Sequence, residues 1–418
     1  LPDDETQADV IVINTCCFIH DAKEESINTI LEMAQYKEQN LKALVVAGCL
    51  AERYKDEILK EIPEIDAVLG TTSYDSIVEA VNTALEENTG EHFEHYESID
   101  YLPDNSEVER VVTTGNHMAY LKIAEGCDKR CSYCIIPKIR GRFRSVPMQE
   151  LLNEAKRLAS EGVKELVLVA QETTLYGKDL TGEKQLPLLL HELCKIEGIE
   201  WIRLLYCYPE EITDELIKVI KTEEKVCNYI DMPIQHSENR ILQRMGRRTS
   251  REDLVAVIKK LRKEIPDITI RTTLITGFPG ESQEDHEGLM NFVEECQFDR
   301  LGVFTYSPEE DTLAATFEDQ IDEEVKEERR DELMSLQQEI SYEHTQQLVG
   351  KTIKVMVEGY LFEDDIYVGR SYMDAPKVDG CVFINSPEEL MTGDFVYVKI
   401  TQGREYDVIG EVDYEFTK

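Results

Sequence analysis

Three cysteines in the stretch GCDKRCSYCIIP, Cys127, Cys131 and Cys134, stand in the spacing CxxxCxxC. Thiolates are soft donors that suit zinc or an iron-sulfur cluster. Three of them on one short loop, beside Asp128, Lys129 and Arg130, can converge on one metal centre after a modest backbone turn. They leave one coordination corner open. A closed zinc site would want a fourth Cys or His close by, and none follows in the next thirty residues. Three unrelated buried cysteines are the bland alternative. A four-iron cluster with one open corner accounts best for the pattern.

Two further cysteines hold matching places. Cys16 closes the apolar run DVIVINTC and Cys49 closes ALVVAGC, with EIDAVLG as a third run and the helical pattern AKEESINTILEMAQYK between the first two. Buried strands alternating with helices imply a parallel α/β layer, whose ligands gather beyond the carboxyl ends of the strands. A small buried hydrophobe is the ordinary role of such a cysteine. The shared position on two strand ends favours ligation for Cys16 and Cys49. Cys17 should point the other way and serve the core. From Glu86 to Ser106 the pattern dissolves into acidic and polar residues, read as a linker, and its His92 and His95 are given no role.

Residues 113–343 give six strand-helix repeats, with strands AYLKIAEG, KELVLVAQ, WIRLLYCYP, YIDMPIQ, TIRTTLITGFP and RLGVFTYSP. Six parallel strands with right-handed crossovers make an incomplete (βα)6 barrel, open on one side. The cysteine loop comes directly after the first strand, at the end where barrel chemistry occurs. Gln171, Glu172 and Thr173 follow the second strand, Asp231, Gln235 and His236 lie on and after the fourth, and GFPGE, Gly277 to Glu281 with Pro279, follows the fifth. The glycines of GFPGE let backbone approach a ligand, or serve a turn that needs φ > 0. The basic run Lys138, Arg140, Arg142 and Arg144 is either a solvated face or a steering patch for an acidic substrate group. A long charged helix pattern, DEEVKEERRDELMSLQQEISYEHTQQLVG, links this region to residues 346–417, where five short strands suggest a small antiparallel barrel with Cys381 in its core.

Composition narrows the partners. Of 418 residues 42% are hydrophobic, no apolar run reaches the length of a membrane span, and no signal-peptide pattern is seen at the start of the sequence. Eleven cysteines without a secretion signal fit a reducing, cytoplasmic setting. The net charge is -40, with 6 basic and 24 acidic side chains in residues 1–105 and 7 and 14 in residues 346–418. Such ends repel nucleic acid and favour a basic protein partner.

CxxxCxxC with Tyr133 before its last cysteine resembles the loop of the radical S-adenosylmethionine (radical SAM) enzymes. The three-part chain, with NTC and GC at strand ends, resembles the methylthiotransferases of that superfamily over essentially its whole length. The resemblance implies a flavodoxin-like parallel α/β domain over residues 1–100, a radical SAM barrel over 113–343 and a TRAM-like β-barrel over 346–417. It also implies two 4Fe-4S clusters. Cys127, Cys131 and Cys134 would hold the one that binds SAM, and Cys16 and Cys49 would match two of three ligands of an auxiliary cluster. The chain opens on Leu1 and not Met, so the third ligand is expected upstream. Gln171 and Glu172 are expected near the SAM amino group, Asp231 to His236 with Gln235 near its ribose, and the strand leading to Gly277 and Pro279 near its adenine.

In this family one SAM methylates a sulfur held on the auxiliary cluster. A second gives the 5'-deoxyadenosyl radical that takes a hydrogen from the substrate. The stretches INTCCFIHDAKEES, YLKIAEGCDKRCSYCIIPKIRGRFRS, DMPIQH and GRSYMDAPKVDG resemble the branch that adds methylthio to the β-carbon of an aspartate in ribosomal small-subunit protein twelve, giving 3-methylthioaspartate. That hydrogen is not acidic enough for ordinary general-base removal, which a radical avoids. A reductase or flavodoxin-type protein would donate the electron, and substrate would be met free or on the ribosome. The alternatives are the branch that modifies a tRNA adenosine, whose C-terminal barrel should be basic, and a non-catalytic iron-sulfur or zinc module that docks on ribosomes.

Overall fold

In the computed structural model, which describes residues 4–55, 57–86, 92–103 and 110–415, the apolar runs become strands where the pattern places them. The chain divides into two compact units. One takes Leu1–Val108, Glu125–Arg144 and Ser307–Thr316, and the other takes Glu109–Ala124, Ser145–Tyr306 and Phe317–Lys418.

The first unit is built on four parallel strands in chain order, β1 (Val10–Thr15), β2 (Ala43–Gly48), β3 (Ala67–Leu69) and β4 (Phe93–His95). All six residues of β2 are buried, as a strand covered on both faces must be. β4 corrects the linker reading, because Phe93, Glu94 and His95 pair in register with Ala67, Val68 and Leu69. His92 is anchored too, with Nδ1 2.8 Å from the Ile65 carbonyl. Residues 87–91 and 104–106 of the expected linker lie outside the described residues. The core of this unit combines Ile13, Ile30, Leu44, Val46 and Val68 with Ile135 and Ile139 from beyond the cysteine loop.

The second unit holds the six barrel strands. β5 (Met118–Lys122) is followed by the two-residue strands β6 (Ala124–Glu125) and β7 (Arg144–Ser145), which pair with each other on either side of the cysteine loop. β8 (Glu165–Val169) and β9 (Trp201–Leu204) complete a parallel sheet with β5, while β10 (Tyr229–Asp231), β11 (Thr269–Thr276) and β12 (Arg300–Thr305) form another. The Ile202–Val226 bridge and the Cys207 N–H donating to the Asp231 carbonyl at 2.8 Å join β9 to β10. The six strands therefore run in chain order as one open wall. Helices cover it, two of them started by capping boxes at Ser250 with Asp253 and Ser282 with Asp285.

The helix Glu323–Gln346 does more than link. It buries a stripe of Lys326, Arg329, Leu333, Gln337, Ile340, Ser341 and Thr345, and Gln337 donates to the Phe298 carbonyl at 2.8 Å. Its sparse apolar pattern reflects a buried face that is largely polar. Beyond it β13 (Thr352–Leu361), β14 (Ile366–Ser371), β15 (Val382–Asn385), β16 (Phe395–Gly403) and β17 (Val408–Val412) close into a barrel of order β13-β14-β15-β17-β16. It is not wholly antiparallel, since β15 pairs parallel with β17. Cys381 sits half-buried just before β15, so the core position expected of it is only partly realised.

Charged pairs join this small barrel to the inner strand faces. Glu165 receives Arg203 Nε at 2.8 Å and Arg370 Nη2 at 2.6 Å, and all three side chains are at most 2% exposed. Arg300 meets Asp374 at 2.5 Å, and Arg271 Nε meets Asp379 at 3.3 Å. Arg370, Asp374 and Asp379 all lie in the stretch GRSYMDAPKVDG. Apolar packing of Trp201, Tyr229 and Met118 against Met356 and Ala375 surrounds them. Such a network is costly to break from one side, because it strands a buried charge.

Candidate active site

The β1–β2 register pairs Thr15 with Gly48, so Cys16 and Cys49 leave adjacent strands together. Gly48 has φ of +99°, and a Cβ there would lie 2.6 Å from Asn14 Oδ1 and 2.7 Å from the Thr15 carbonyl. Only glycine lets the two strand ends come this close. Thr15 Oγ1 donates to the Ala47 carbonyl at 2.7 Å and accepts from the Leu50 N–H, tying the turn that carries Cys49 to β1. Cys16 is exposed, with its N–H donating to Ser26 Oγ at 3.0 Å. Cys17 is fully buried in the apolar core, as expected, and burial pushes its thiol up to about 12. Burial also raises the Cys49 thiol, opposed by the Arg140 guanidinium beside it.

The cysteine loop belongs to the same compact unit. Cys127 and Cys131 are buried and Cys134 half-buried. The Cys127 N–H donates to the Gly141 carbonyl at 3.1 Å, the Cys134 N–H to the Cys131 carbonyl at 3.1 Å, and the Ala314 N–H to the Ser132 carbonyl at 2.8 Å. Gly126, at φ +77°, packs where a Cβ would lie 2.1 Å from the Arg142 carbonyl. The loop is thus pinned at its start, middle and end. Among the described residues no three Cys, His, Asp or Glu side chains close around a single metal ion. A four-iron cluster binds its thiolates on separate irons, so its ligands stand further apart than those of one ion. The donor chemistry and the anchored loop fit such a cluster.

The basic run resolves in favour of structure. Arg140 lies 3.6 Å from Glu125, Arg144 donates to the Arg140 and Arg142 carbonyls and lies 3.6 Å from Asp100, and Lys138 donates to the Asp311 carbonyl at 2.9 Å. Arg142 alone of the four side chains is exposed without such a role, while its N–H is held by Asp100 at 2.8 Å. Sequence reasoning did not find the clasp formed by residues 307–316. Arg53, 5% exposed, meets Glu309 at 3.4 Å and donates to the Cys17 and Glu310 carbonyls. The residues before that clasp belong to the other unit, and a sequence pattern carries no signal for such a switch.

In the second unit the expected contacts divide. Half-buried Gln171 and fully buried Glu172 follow β8, where Glu172 accepts the N–H and hydroxyl of Thr174. Asp231 ends β10 with both oxygens in use, one 2.8 Å from Arg271 Nη1 and the other 2.9 Å from the Tyr206 N–H. Burial raises its pKa, opposed chiefly by Arg271. Asp231 therefore braces the rim through both of its oxygens. Gln235 takes φ of +72° while its backbone continues the ladder to β11, accepting from Ile275 at 2.7 Å. His236 accepts the Glu238 N–H on Nδ1 and faces Glu281 with Nε2 at 3.5 Å, so it too is internal. Burial raises the pKa of Glu281, but His236, then Arg329 and the Phe278 N–H, outweigh it and hold the carboxyl below its usual range.

Gly277 and Gly280 of GFPGE take φ of +68° and +81°, the left-handed values that its turn needs. A Cβ on Gly277 would lie 2.2 Å from Lys326 Cγ and one on Gly280 2.3 Å from Asp319 Oδ2, so the glycines admit protein side chains. Pro279 offers its carbonyl to Arg244 Nε at 3.1 Å. Sequence reasoning also missed Tyr206, which is 47% exposed and whose φ is +59° just beyond β9.

Comparisons with known proteins agree with this architecture. The family described as Radical SAM superfamily matches residues 121–293, the TRAM domain matches residues 349–412, and Uncharacterized protein family UPF0004 matches residues 1–70. A solved structure of TsrM, a radical S-adenosylmethionine methyltransferase from Kitasatospora setae with cobalamin and a 4Fe-4S cluster bound, shares the fold. It has TM-score 0.56 and 14% identity, covering 82% of this chain and 67% of that one. Fold, cysteine loop and terminal barrel define a radical SAM methylthiotransferase. Ribosomal protein uS12 methylthiotransferase RimO of Lachnoclostridium phytofermentans is 61% identical over 414 residues, 99% of this chain and 93% of that protein. The RimO of Desulfitobacterium hafniense is 51% identical over 407 residues, 97% and 91%. The chain belongs to the RimO family of ribosomal protein uS12 methylthiotransferases.

Proposed function

We propose that this enzyme adds a methylthio group to the β-carbon of an aspartate in ribosomal protein uS12, using two 4Fe-4S clusters and SAM. The observation that carries the two-cluster reading is that Cys16, Cys49, Cys127, Cys131 and Cys134 share one compact unit. When bound, the clusters supply the electron that splits SAM and the site that hands on sulfur. The chain's own residues do the rest. Cys127, Cys131 and Cys134 hold the SAM-binding cluster on a loop pinned by Gly126 and Gly141, and Cys16 and Cys49 belong to the ligand set of the other. Gln171, Glu172 and Gln235 at the strand ends orient SAM, while Asp231 and the glycine turn at Gly277 and Pro279 brace the wall.

Recognition of uS12, a basic protein, rests on acidic side chains. The hairpin tip between β13 and β14 exposes Glu363, Asp364 and Asp365 beside Phe362, which is 88% exposed. Negative charge of this kind steers a basic partner and disfavours RNA. That supports the uS12 branch over the tRNA branch. The electron comes from a reductase or flavodoxin-type protein, and the reaction belongs to the cytoplasm. Among the described residues no helix is long and apolar enough to cross a membrane.

Anaerobic reconstitution of the full-length enzyme tests the cluster count. About eight irons per chain, with deoxyadenosine formed from SAM, is the expected result for two four-iron clusters. About four irons would remove the auxiliary cluster from the account. Zinc without SAM turnover would leave only the docking-module alternative.

A further inference from the structure

Tyr206 is the residue at the rim whose conformation and role do not match. Its φ of +59° puts a bulky aromatic side chain in the left-handed region, where glycine or asparagine would sit at lower cost. Its backbone is fixed from both neighbouring strands. The N–H donates to Asp231 Oδ2 at 2.9 Å, and the carbonyl accepts from the Thr173 N–H at 3.1 Å and Thr173 Oγ1 at 3.0 Å. Asp231 is held in turn by Arg271 at 2.8 Å, and Arg271 by Asp379 at 3.3 Å. Asp379 accepts the Tyr229 hydroxyl at 2.7 Å. A chain of buried charges thus ends at the Tyr206 amide, and none of the bonds that hold Tyr206 uses its side chain.

Strain of this kind persists where the surroundings over-determine it, and it concentrates at functional sites. Tyr206 follows β9, the strand between β8, whose end carries Gln171 and Glu172, and β10, whose end carries Asp231 and Gln235. Asp231 and Glu172 are almost fully buried, whereas Tyr206 is 47% exposed. A half-exposed aromatic at a strand end is open to contact with a macromolecular substrate. Rigid aromatic side chains are the common anchors of protein surfaces, and the ring face also attracts cationic groups of a basic partner.

We propose that Tyr206 is a substrate-positioning residue whose ring, aimed by the Asp379, Arg271 and Asp231 relay, holds the target segment of a basic protein at the rim of the barrel. This rests on the methylthiotransfer reading above. The test uses reconstituted holoenzyme carrying Tyr206→Ala or Tyr206→Phe, with purified uS12 varied in concentration, and follows deoxyadenosine and methylthiolated uS12 together.

Tyr206→Ala should raise KM for uS12 about tenfold and increase the deoxyadenosine formed per product. SAM cleavage without uS12 should stay within about twofold of wild type. Tyr206→Phe, which keeps the ring, should behave as wild type. The proposal is overturned if Tyr206→Ala keeps the wild-type KM and coupling, if it loses SAM cleavage in step with product, or if Tyr206→Phe is as impaired as Tyr206→Ala. Wild-type enzyme run alongside separates the two claims. If it makes no methylthiolated uS12 the reading of the reaction fails and the proposal with it, and if it does while Tyr206→Ala matches it, Tyr206 alone fails.

Discussion

Thr15 and Gly48 are the last paired residues of β1 and β2, and that register sets Cys16 and Cys49 side by side. The pairing depends on a glycine, because any Cβ at position 48 meets Asn14 and the Thr15 backbone. Gly48→Ala should therefore cost about 1–3 kcal/mol of stability and misplace Cys49. Thermal unfolding and iron content after reconstitution check this, and wild-type values for both would contradict it.

The cysteine loop makes a sharper prediction. Cys127→Ala, Cys131→Ala or Cys134→Ala should each abolish reductant-dependent deoxyadenosine formation. In the full-length enzyme Cys16→Ala or Cys49→Ala should retain it and lose methylthio insertion. A Cys131→Ala variant that still cleaves SAM would remove the loop from the mechanism. Equal loss of both activities in Cys49→Ala would argue against separate clusters.

Much of this was legible in the chain, and the failures have physical causes. The strands announced themselves because each is a short apolar run bounded by turn residues. β4 did not, since Phe93–His95 is an edge strand with polar neighbours and its pairing is long-range. The run from Lys138 to Arg144 stayed open between a solvated face and a steering patch because spacing shows charge and not partners, and Asp100, Glu125 and Asp311 are distant in sequence. The glycines of GFPGE were ambiguous for the same reason, the atoms they admit belonging to Lys326 and Asp319. Glu165 and Arg203 left a trace, a charge in each of two otherwise apolar strands, without indicating that they meet each other or Arg370. Nothing in the sequence signals a positive φ at a tyrosine.

The Glu165 network gives stability a pH dependence. Burial opposes ionisation of Glu165, but Arg203 and then Arg370 outweigh it and hold its pKa below the ordinary value. A depressed carboxyl contributes stability above the unfolded pKa and loses it as pH falls through the folded one. Glu281 and Glu358 act in the same sense, and Asp231, raised by burial, in the opposite one. Glu165→Gln should cost about 3–5 kcal/mol near neutral pH, because Arg203 and Arg370 lose their shared anion. It should also flatten the acid limb below the usual carboxylate range. Denaturant midpoints of the two proteins at neutral and acid pH decide it, and equal midpoints near neutrality would count against the network.

At the barrel tip, reversing Glu363, Asp364 and Asp365 together to Lys should weaken uS12 binding by about tenfold or more at low salt, with the difference shrinking as salt rises. Circular dichroism should show an unchanged fold, since all three side chains are exposed. Unchanged affinity at every salt concentration would place recognition elsewhere.

The most direct test of the central claim is the mass of uS12 after anaerobic incubation with the reconstituted full-length enzyme, SAM and a reductant. The account predicts one methylthio group in place of one hydrogen, located by fragmentation on the β-carbon of an aspartate, with deoxyadenosine formed alongside. Deoxyadenosine formed while uS12 keeps its mass, with methylthio found instead on tRNA adenosine, would contradict it.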